Sequence, residues 1–153
     1  MANQQSRLHS QVFGYNAARW VLIAVTVAIT IWFFLMMSWM AFPIVIVTAI
    51  VVLFHIDTQL DQKQQTLKIK VLWVPVKACN FADVKEAAIP QDPLPLERNT
   101  FGVHFVGGAL SMHAGAANLA LEMTDGKTYR VTVDRPQQFV KRLNNAAQRN
   151  AEP

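Results

Sequence analysis

The stretch from Trp20 to Phe54 contains no Lys, Arg, Asp, Glu or His, and no other feature constrains the fold as strongly. A single straight helix over this stretch would be roughly 52 Å long at 1.5 Å per residue, well beyond a hydrocarbon core of about 30 Å. Pro43 follows a candidate turn and is well tolerated in the first turn of a helix. We therefore predict a transmembrane helical hairpin with helices at about 19–40 and 43–56. Because the second helix is short, a re-entrant or strongly kinked segment is the alternative.

The residues that flank this stretch predict its topology. Trp20 and Trp39 lie near the ends of the first predicted helix, and we assign them as membrane-interface anchors because indole rings favour the interface. Basic residues precede and follow the apolar stretch, and none lies in the turn. The positive-inside rule then predicts a multi-pass plasma-membrane protein with both termini in the cytoplasm. Residues 1–18 are predicted to be a cytoplasmic or interfacial lead-in. A cleaved signal peptide is disfavoured because the apolar stretch is far longer than a signal core.

The chain of 153 residues leaves room for one small soluble domain after the apolar stretch. The formal net charge is +4, and acidic residues are interleaved with the basic ones, which disfavours a nucleic-acid-binding surface. Cys79 is the single cysteine, so an intrachain disulfide and a cysteine-rich metal site are excluded.

Alternating apolar and polar residues after the stretch predict strands. The segments His55–Leu60 and Thr66–Val76 read as two strands, and Pro75 places the second at a sheet edge or at a bulge. Glycines among apolar residues between 100 and 118 favour short strands joined by glycine turns over a helix. Asp125-Gly126 between two alternating runs predicts a two-residue hairpin turn with both residues at positive φ.

An amphipathic segment near the C-terminus predicts a closing helix at 135–148, followed by a frayed tail at 149–153. Asp134 is a candidate N-cap, and Pro136 suits the first helical turn. The apolar residues Phe139, Val140 and Leu143 share one face. The fold class predicted at this point is membrane α plus soluble β, with the helical hairpin followed by a small antiparallel β-barrel or sandwich that the C-terminal helix closes.

Three patterns in the soluble part carry a family resemblance. They are Leu67-Lys-Ile-Lys70, the glycine-punctuated Phe101-Gly-Val-His-Phe-Val-Gly-Gly108, and Tyr129-Arg-Val-Thr-Val133 with the following Pro136 and Phe139. With them, residues 57–148 resemble the bacterial pleckstrin-homology-like (PH-like) domains that follow a pair of membrane helices. The layout of the whole chain also resembles the EbsA-type membrane proteins of Gram-positive bacteria. The resemblance implies a fold, and it carries no catalytic residue over to this chain.

No motif in the sequence predicts a catalytic, cofactor-binding or metal site. His104 and His113 are expected near one end of the β domain, but they are two ligands where zinc requires three or four. Cys79 could be a nucleophile with one of these histidines as its base, and a small core residue is the favoured interpretation. Gly107-Gly108 lacks the pattern of a phosphate-binding loop, so we expect turn glycines there.

The basic residues Lys63, Lys68, Lys70 and Lys77 follow the second helix closely and are a candidate surface for lipid head groups or a partner. Solvated strand faces are the alternative interpretation. We therefore expect a non-enzymatic membrane protein that presents a cytoplasmic PH-like domain for binding a protein partner or for self-assembly. The open strand edge near Lys68–Val76 is the expected pairing surface. The alternative function is a pore or transport component built from oligomerised hairpins, and a membrane enzyme is a more distant third hypothesis.

Overall fold

The computed structural model describes residues 7–37, 39–92 and 94–151. Within these residues the chain forms two apolar helices, two sheets, a short helix and a C-terminal helix. The helices are α1 (Ala17–Leu35), α2 (Ala41–Leu53), the short α3 (Pro95–Asn99) and α4 (Pro136–Ala151). The strands are β1 (Arg7–Val12), β2 (Ile56–Asp61), β3 (Thr66–Val71), β4 (Val74–Asn80), β5 (Val84–Ala88), β6 (Phe101–Val106), β7 (Ala109–Ala114), β8 (Leu119–Met123) and β9 (Thr128–Val131). The predicted order of an apolar helix, a β-rich region and a C-terminal helix is confirmed.

Helix α1 has 19 residues and is long and apolar enough to cross a membrane. Helix α2 packs against it and has 13 residues, about 20 Å at the helical rise. Both helices begin two residues earlier than predicted and end earlier, at Leu35 and Leu53, and Pro43 lies in the first turn of α2 as expected. Apolar side chains on both helices are exposed, among them Phe34 and Phe42.

The first sheet has the strand order β1-β2-β3-β4 and is antiparallel throughout. Its first strand lies in residues 1–18, which we had predicted to be a cytoplasmic or interfacial lead-in, so the β domain begins before the two apolar helices. The sequence Arg7–Val12 alternates only weakly in hydropathy. Pairing with β2 makes it a strand, because the ladder satisfies its backbone while Leu8 and Ser10 become buried.

The predicted strand Thr66–Val76 is divided in two by a tight turn at Leu72 and Trp73. Both turn residues have positive φ, at 49° and 65°. Pro75 lies in β4 at the edge of the sheet, beside a register shift in the β3–β4 ladder. The prediction of an edge position or a bulge is confirmed, and both features occur.

The second sheet has the order β5-β8-β9-β7-β6 and is mixed, since β7 and β9 run parallel. We had predicted an antiparallel arrangement. The β6–β7 hairpin lies between β5 and β8 in the chain, but in the sheet β7 pairs with β9. Strand β9 runs antiparallel to β8 and parallel to β7.

Two hairpin turns of this sheet contain glycine and differ in length. The hairpin of β8 and β9 is confirmed, but its turn differs from the predicted two-residue form. The loop spans residues 124–127, and of Asp125 and Gly126 only Gly126 has positive φ. Gly107 and Gly108 both have positive φ and form the two-residue turn between β6 and β7.

The two sheets and α4 share one hydrophobic core. Leu60 and Ile69 of the first sheet, Leu121 and Val131 of the second, and Phe139 of α4 are buried in it. Helix α4 begins at Pro136, one residue later than predicted, because Arg135 rather than Asp134 supplies the carbonyl that accepts from the Phe139 N–H. It continues to Ala151, through part of the segment predicted to be a tail. Asn144 of α4 covers the free edge of β5, accepting from the Ala87 N–H and donating to the Ala87 carbonyl, each at 2.8 Å.

Candidate functional site

The apolar helices join the β domain at a buried arginine. Arg19, in the first turns of α1, is fully buried. It donates to the carbonyl oxygens of Val51 and Val52 at 2.9 Å each and of Phe54 at 2.7 Å, and also to that of Phe13. The last carbonyl groups of a helix have no partner within the helix, so the guanidinium caps the end of α2.

Aromatic rings surround this arginine. Its guanidinium lies 4.3 Å from the ring centroid of Tyr15 and 5.2 Å from that of Phe101, and the aromatic faces stabilise the cation. The Tyr15 hydroxyl donates to the Val52 carbonyl at 2.9 Å. Because Phe101 belongs to β6, the contact ties both helices to the second sheet as well as to the first. We call Phe13, Tyr15, Arg19, Phe54, His55 and Phe101 the junction.

The predicted interface anchors lie at opposite ends of α1. Trp20 is exposed at the junction end, with its ring stacked 5.4 Å from that of Tyr15. Trp39 is exposed in the connection between α1 and α2. The two rings are separated by about the length of α1, as predicted for residues at the two ends of the first helix. Their role as membrane-interface anchors stays a prediction.

The four predicted lysines do not form one surface. Lys68 and Lys70 point to the outer face of the first sheet, as their alternation with the buried Leu67 and Ile69 requires. Lys63 lies in the β2–β3 turn, at the end of the sheet away from the helices. Lys77 lies opposite Ile69 in the ladder, and its ammonium is 4.7 Å from the ring centroid of Tyr129.

On the outer face of the first sheet, Lys68 borders an open cleft of about 430 Å³, and Lys70 does not line it. Arg7 and Asp61 form an ion pair at 3.0 Å along it, and His9 lies 2.7 Å from Asp57. Charges of both signs therefore line the cleft, and it lacks the uniformly basic character of a phosphate-binding surface.

A second polar cluster lies beneath α3, on the outer face of the second sheet. Glu97 is fully buried and makes a two-point contact with Arg130, whose Nε and Nη2 lie 2.7 and 2.9 Å from its carboxylate oxygens. Ser111 donates to Glu97 at 2.6 Å and lies 3.0 Å from His113 Nδ1. His113 Nε2 lies 3.0 Å from the Thr100 hydroxyl. We call these five residues the polar cluster.

The order of groups in the polar cluster differs from that of a hydrolytic triad. In a triad the histidine lies between the serine and the acid and takes the serine proton. Here Ser111 lies between the acid and the histidine and directs its proton to Glu97. Since the Ser111 hydroxyl has one proton, His113 Nδ1 must be protonated and donate to Ser111, which leaves that nitrogen unable to act as a base.

The surroundings of the cluster shift two pKa values downward. Burial alone raises the pKa of Glu97, but hydrogen bonds from Arg130, Ser111 and the Leu94 N–H outweigh it, and the resulting pKa is below the ordinary value. Burial, with the nearby His104, lowers the pKa of His113. The lowered pKa values therefore favour an ionised glutamate and a neutral histidine in this buried site.

His104 and His113 are close, as expected, with ring centroids 5.1 Å apart. Within residues 7–37, 39–92 and 94–151, no group of three or more metal-ligating side chains occurs. Cys79 lies in the core, as expected, and burial raises the pKa of its thiol, which disfavours the nucleophilic thiolate.

Sequence reasoning missed the two buried charged groups, Arg19 and Glu97. Arg19 was interpreted as a topology signal because it borders the apolar stretch. Glu97 lies in a proline-rich segment, 90–99, for which the sequence patterns above predict no helix or strand. One available signal was Pro95 with an acidic residue in the same turn, since proline suits the first helical position and the Glu97 carboxylate accepts from the Leu94 N–H.

No protein-family model and no curated protein matches the sequence.

Proposed function

We propose that the chain is a non-enzymatic membrane protein whose helices fix a cytoplasmic PH-like domain against the inner leaflet of the plasma membrane. The domain binds a protein partner or a second copy of the chain. The observation that carries this proposal is the insertion of α1 and α2 between β1 and β2, which are neighbours in one sheet. A helical pair inserted there, and capped by Arg19, holds the domain in a fixed orientation. A flexible linker would not do so.

The membrane part of the proposal rests on the exposure of apolar side chains. Both helices expose large apolar residues along their length, and burial of such surface in lipid is strongly favourable. Their hydroxyl groups are satisfied within the helices, since Thr26, Thr30 and Thr48 each donate to a carbonyl four residues earlier. In this proposal α2 spans the bilayer with the help of the connection at 36–40.

The PH-like part rests on strand order. Without the β6–β7 hairpin, the chain has a four-stranded antiparallel sheet, the three neighbouring strands β5, β8 and β9, and the closing helix α4. These antiparallel strands and the closing helix support the proposal because the fold class expected with the resemblance is a small antiparallel β-barrel or sandwich closed by a C-terminal helix. The EbsA-type likeness remains an expectation from the sequence layout.

The free edge of β4 supports binding by strand addition. β4 lies at the end of the first sheet, and Ala78 and Asn80 on it are exposed. An exposed strand edge offers unpaired backbone groups to another strand. In the proposal, a strand from a partner or from a second copy pairs with this edge.

A photo-crosslinking amino acid at Ala78 tests the binding proposal in native membranes. Gln11 provides the matched control, because it is exposed on β1, the opposite edge strand of the same sheet. We expect a defined adduct from position 78 and none from position 11, and mass spectrometry of the adduct separates a partner from a second copy. Equal labelling at both positions, or none at either, would contradict strand addition at β4.

A pore built from oligomerised helices is the alternative function. The self-satisfied threonine hydroxyls weigh against a polar pathway along α1 and α2. Conductance of liposomes containing the purified full-length chain tests this alternative directly.

A further inference from the structure

The turn between β3 and β4 is built from residues that disfavour its backbone conformation. Leu72 and Trp73 adopt positive φ values of 49° and 65°, a region in which L residues with bulky side chains are rare. The turn between β6 and β7 has the same two-residue form and uses Gly107 and Gly108, which adopt it freely. The chain therefore places a leucine and a tryptophan where glycine would relieve the strain.

These residues create an exposed apolar tip. Trp73 is 64% exposed and Val74 is 62% exposed, and Pro75 and Val76 continue the apolar surface into β4. An exposed indole that leads a row of apolar residues is costly in water, which indicates that the tip is covered in the functional state.

The tip lies at the same end of the first sheet as the junction. Val71 pairs with Ile56, the first residue after the helices to enter the sheet. The Leu72 N–H donates to the His55 carbonyl at 3.1 Å, and the Trp73 ring meets the His55 ring edge-on at 4.7 Å. His55 follows α2 by two residues, so Trp73 lies at the level where α2 ends.

We infer that the β3–β4 tip inserts into the head-group and acyl boundary of the bilayer that α1 and α2 occupy. Lipid is the occupant because the tip adjoins the membrane helices, and because it completes a set of amphipathic aromatic rings at that level. Phe13 contacts His55, Tyr15 stacks near Phe13, and Trp20 stacks on Tyr15. Indole and phenol rings favour this boundary. The inference rests on the proposed function, and it adds a third contact that fixes the tilt of the β domain.

Spin labels at three positions of the full-length chain test the insertion. In a Cys79→Ala background, single cysteines at Trp73, Gln64 and Val27 carry the label in vesicles of phosphatidylethanolamine and phosphatidylglycerol. Gln64 is exposed in the β2–β3 turn at the far end of the same sheet, and Val27 is exposed at mid-length on α1. Electron paramagnetic resonance then compares collisions with oxygen, which concentrates in lipid, and with a water-soluble nickel complex.

We expect the ratio of oxygen to nickel collisions to be highest at 27, intermediate at 73 and low at 64. A ratio at 73 equal to that at 64, with 27 in lipid, would overturn the insertion and leave the membrane anchor standing. A label at 27 that nickel reaches freely would overturn the proposed function and the insertion together. A label at 73 that neither reagent reaches would indicate a protein contact and would also overturn the insertion.

A second measurement keeps the native indole. In a variant with Trp20→Phe, Trp32→Phe and Trp39→Phe, Trp73 is the single tryptophan of the chain. We expect lipids brominated near the head of the acyl chain to quench its fluorescence more strongly than lipids brominated near the methyl end. Fluorescence unchanged by both lipids would overturn the insertion.

Discussion

Arg19 Nη2 donates a hydrogen bond to the carbonyl oxygen of Phe54 at 2.7 Å, and so joins two positions 35 residues apart. The first residue lies near the start of α1 and the second follows the end of α2. Between them runs the whole apolar segment. The contact holds the two ends of the apolar insertion together, so that the chain leaves the sheet at β1 and re-enters it at the neighbouring strand β2.

Replacing Arg19 with Met should destabilise the fold severely. The guanidinium satisfies carbonyl groups at the end of α2, and each buried polar group left without a partner costs about 1–3 kcal/mol. Thermal unfolding of the full-length chain in detergent, followed by circular dichroism, should show a large fall in Tm. Arg7→Met is the control, because Arg7 is 74% exposed in its ion pair and should change stability by no more than about 1 kcal/mol. Similar Tm values for the two variants would refute the capping role.

Gly14→Ala should disrupt the connection between β1 and α1. Gly14 has a φ of 57°, and a Cβ there would lie 1.7 Å from the Ala114 carbonyl oxygen, far inside van der Waals contact. The backbone of β7 would have to move, so we expect loss of folded protein. Gly107→Ala is the control: its φ is 59°, but nothing lies within 4 Å of the added Cβ, so strain acts there without a clash. Comparable yields of the two variants after size-exclusion chromatography would argue against the close approach.

Glu97→Gln should lower the stability of the fold and remove the part of its pH dependence that Glu97 contributes. A buried ion pair that loses one partner costs about 3–5 kcal/mol, and Arg130 would lose its counter-charge. The lowered pKa of Glu97 means that its contribution is complete above the ordinary value of 4.5 and disappears as pH falls through the folded value. We therefore expect the free energy of unfolding, measured between pH 3 and 7, to depend less steeply on pH for the variant than for the wild type below about pH 4.5. Glu122→Gln, in the exposed pair with Lys85, should keep the slope of the wild type.

His113→Gln should flatten a second part of the pH profile. Because the folded state lowers the pKa of His113, its contribution to stability is complete above the ordinary value of 6.5 and declines as pH falls below it. As pH falls, the unfolded chain binds a proton at His113 at a higher pH than the folded chain does. The wild type should therefore lose stability below about pH 6.5, and the variant should lose less. The control is His9→Gln, an exposed position on β1. Equal slopes for wild type and His113→Gln between pH 5 and 7 would contradict a neutral, buried histidine.

Local patterns predicted the elements whose residues determine them. The edge position of β4 followed from Pro75, since proline cannot donate to a ladder. The β8–β9 hairpin and α4 followed from alternation and from the stripe of Phe139 and Leu143. The turn at Leu72 and Trp73 was missed, because bulky residues carry no signal for positive φ.

The sequence by itself determined that this chain has an apolar helical segment, a β-rich region and a C-terminal helix, because hydropathy and its period act over a few neighbouring residues. Only the tertiary structure decided that β1 belongs to the domain after the helices. It also decided that Arg19 caps α2, and that Glu97 and His113 share a buried cluster beneath α3. Each of these depends on contacts between distant segments, where burial sets whether a polar group must find a partner.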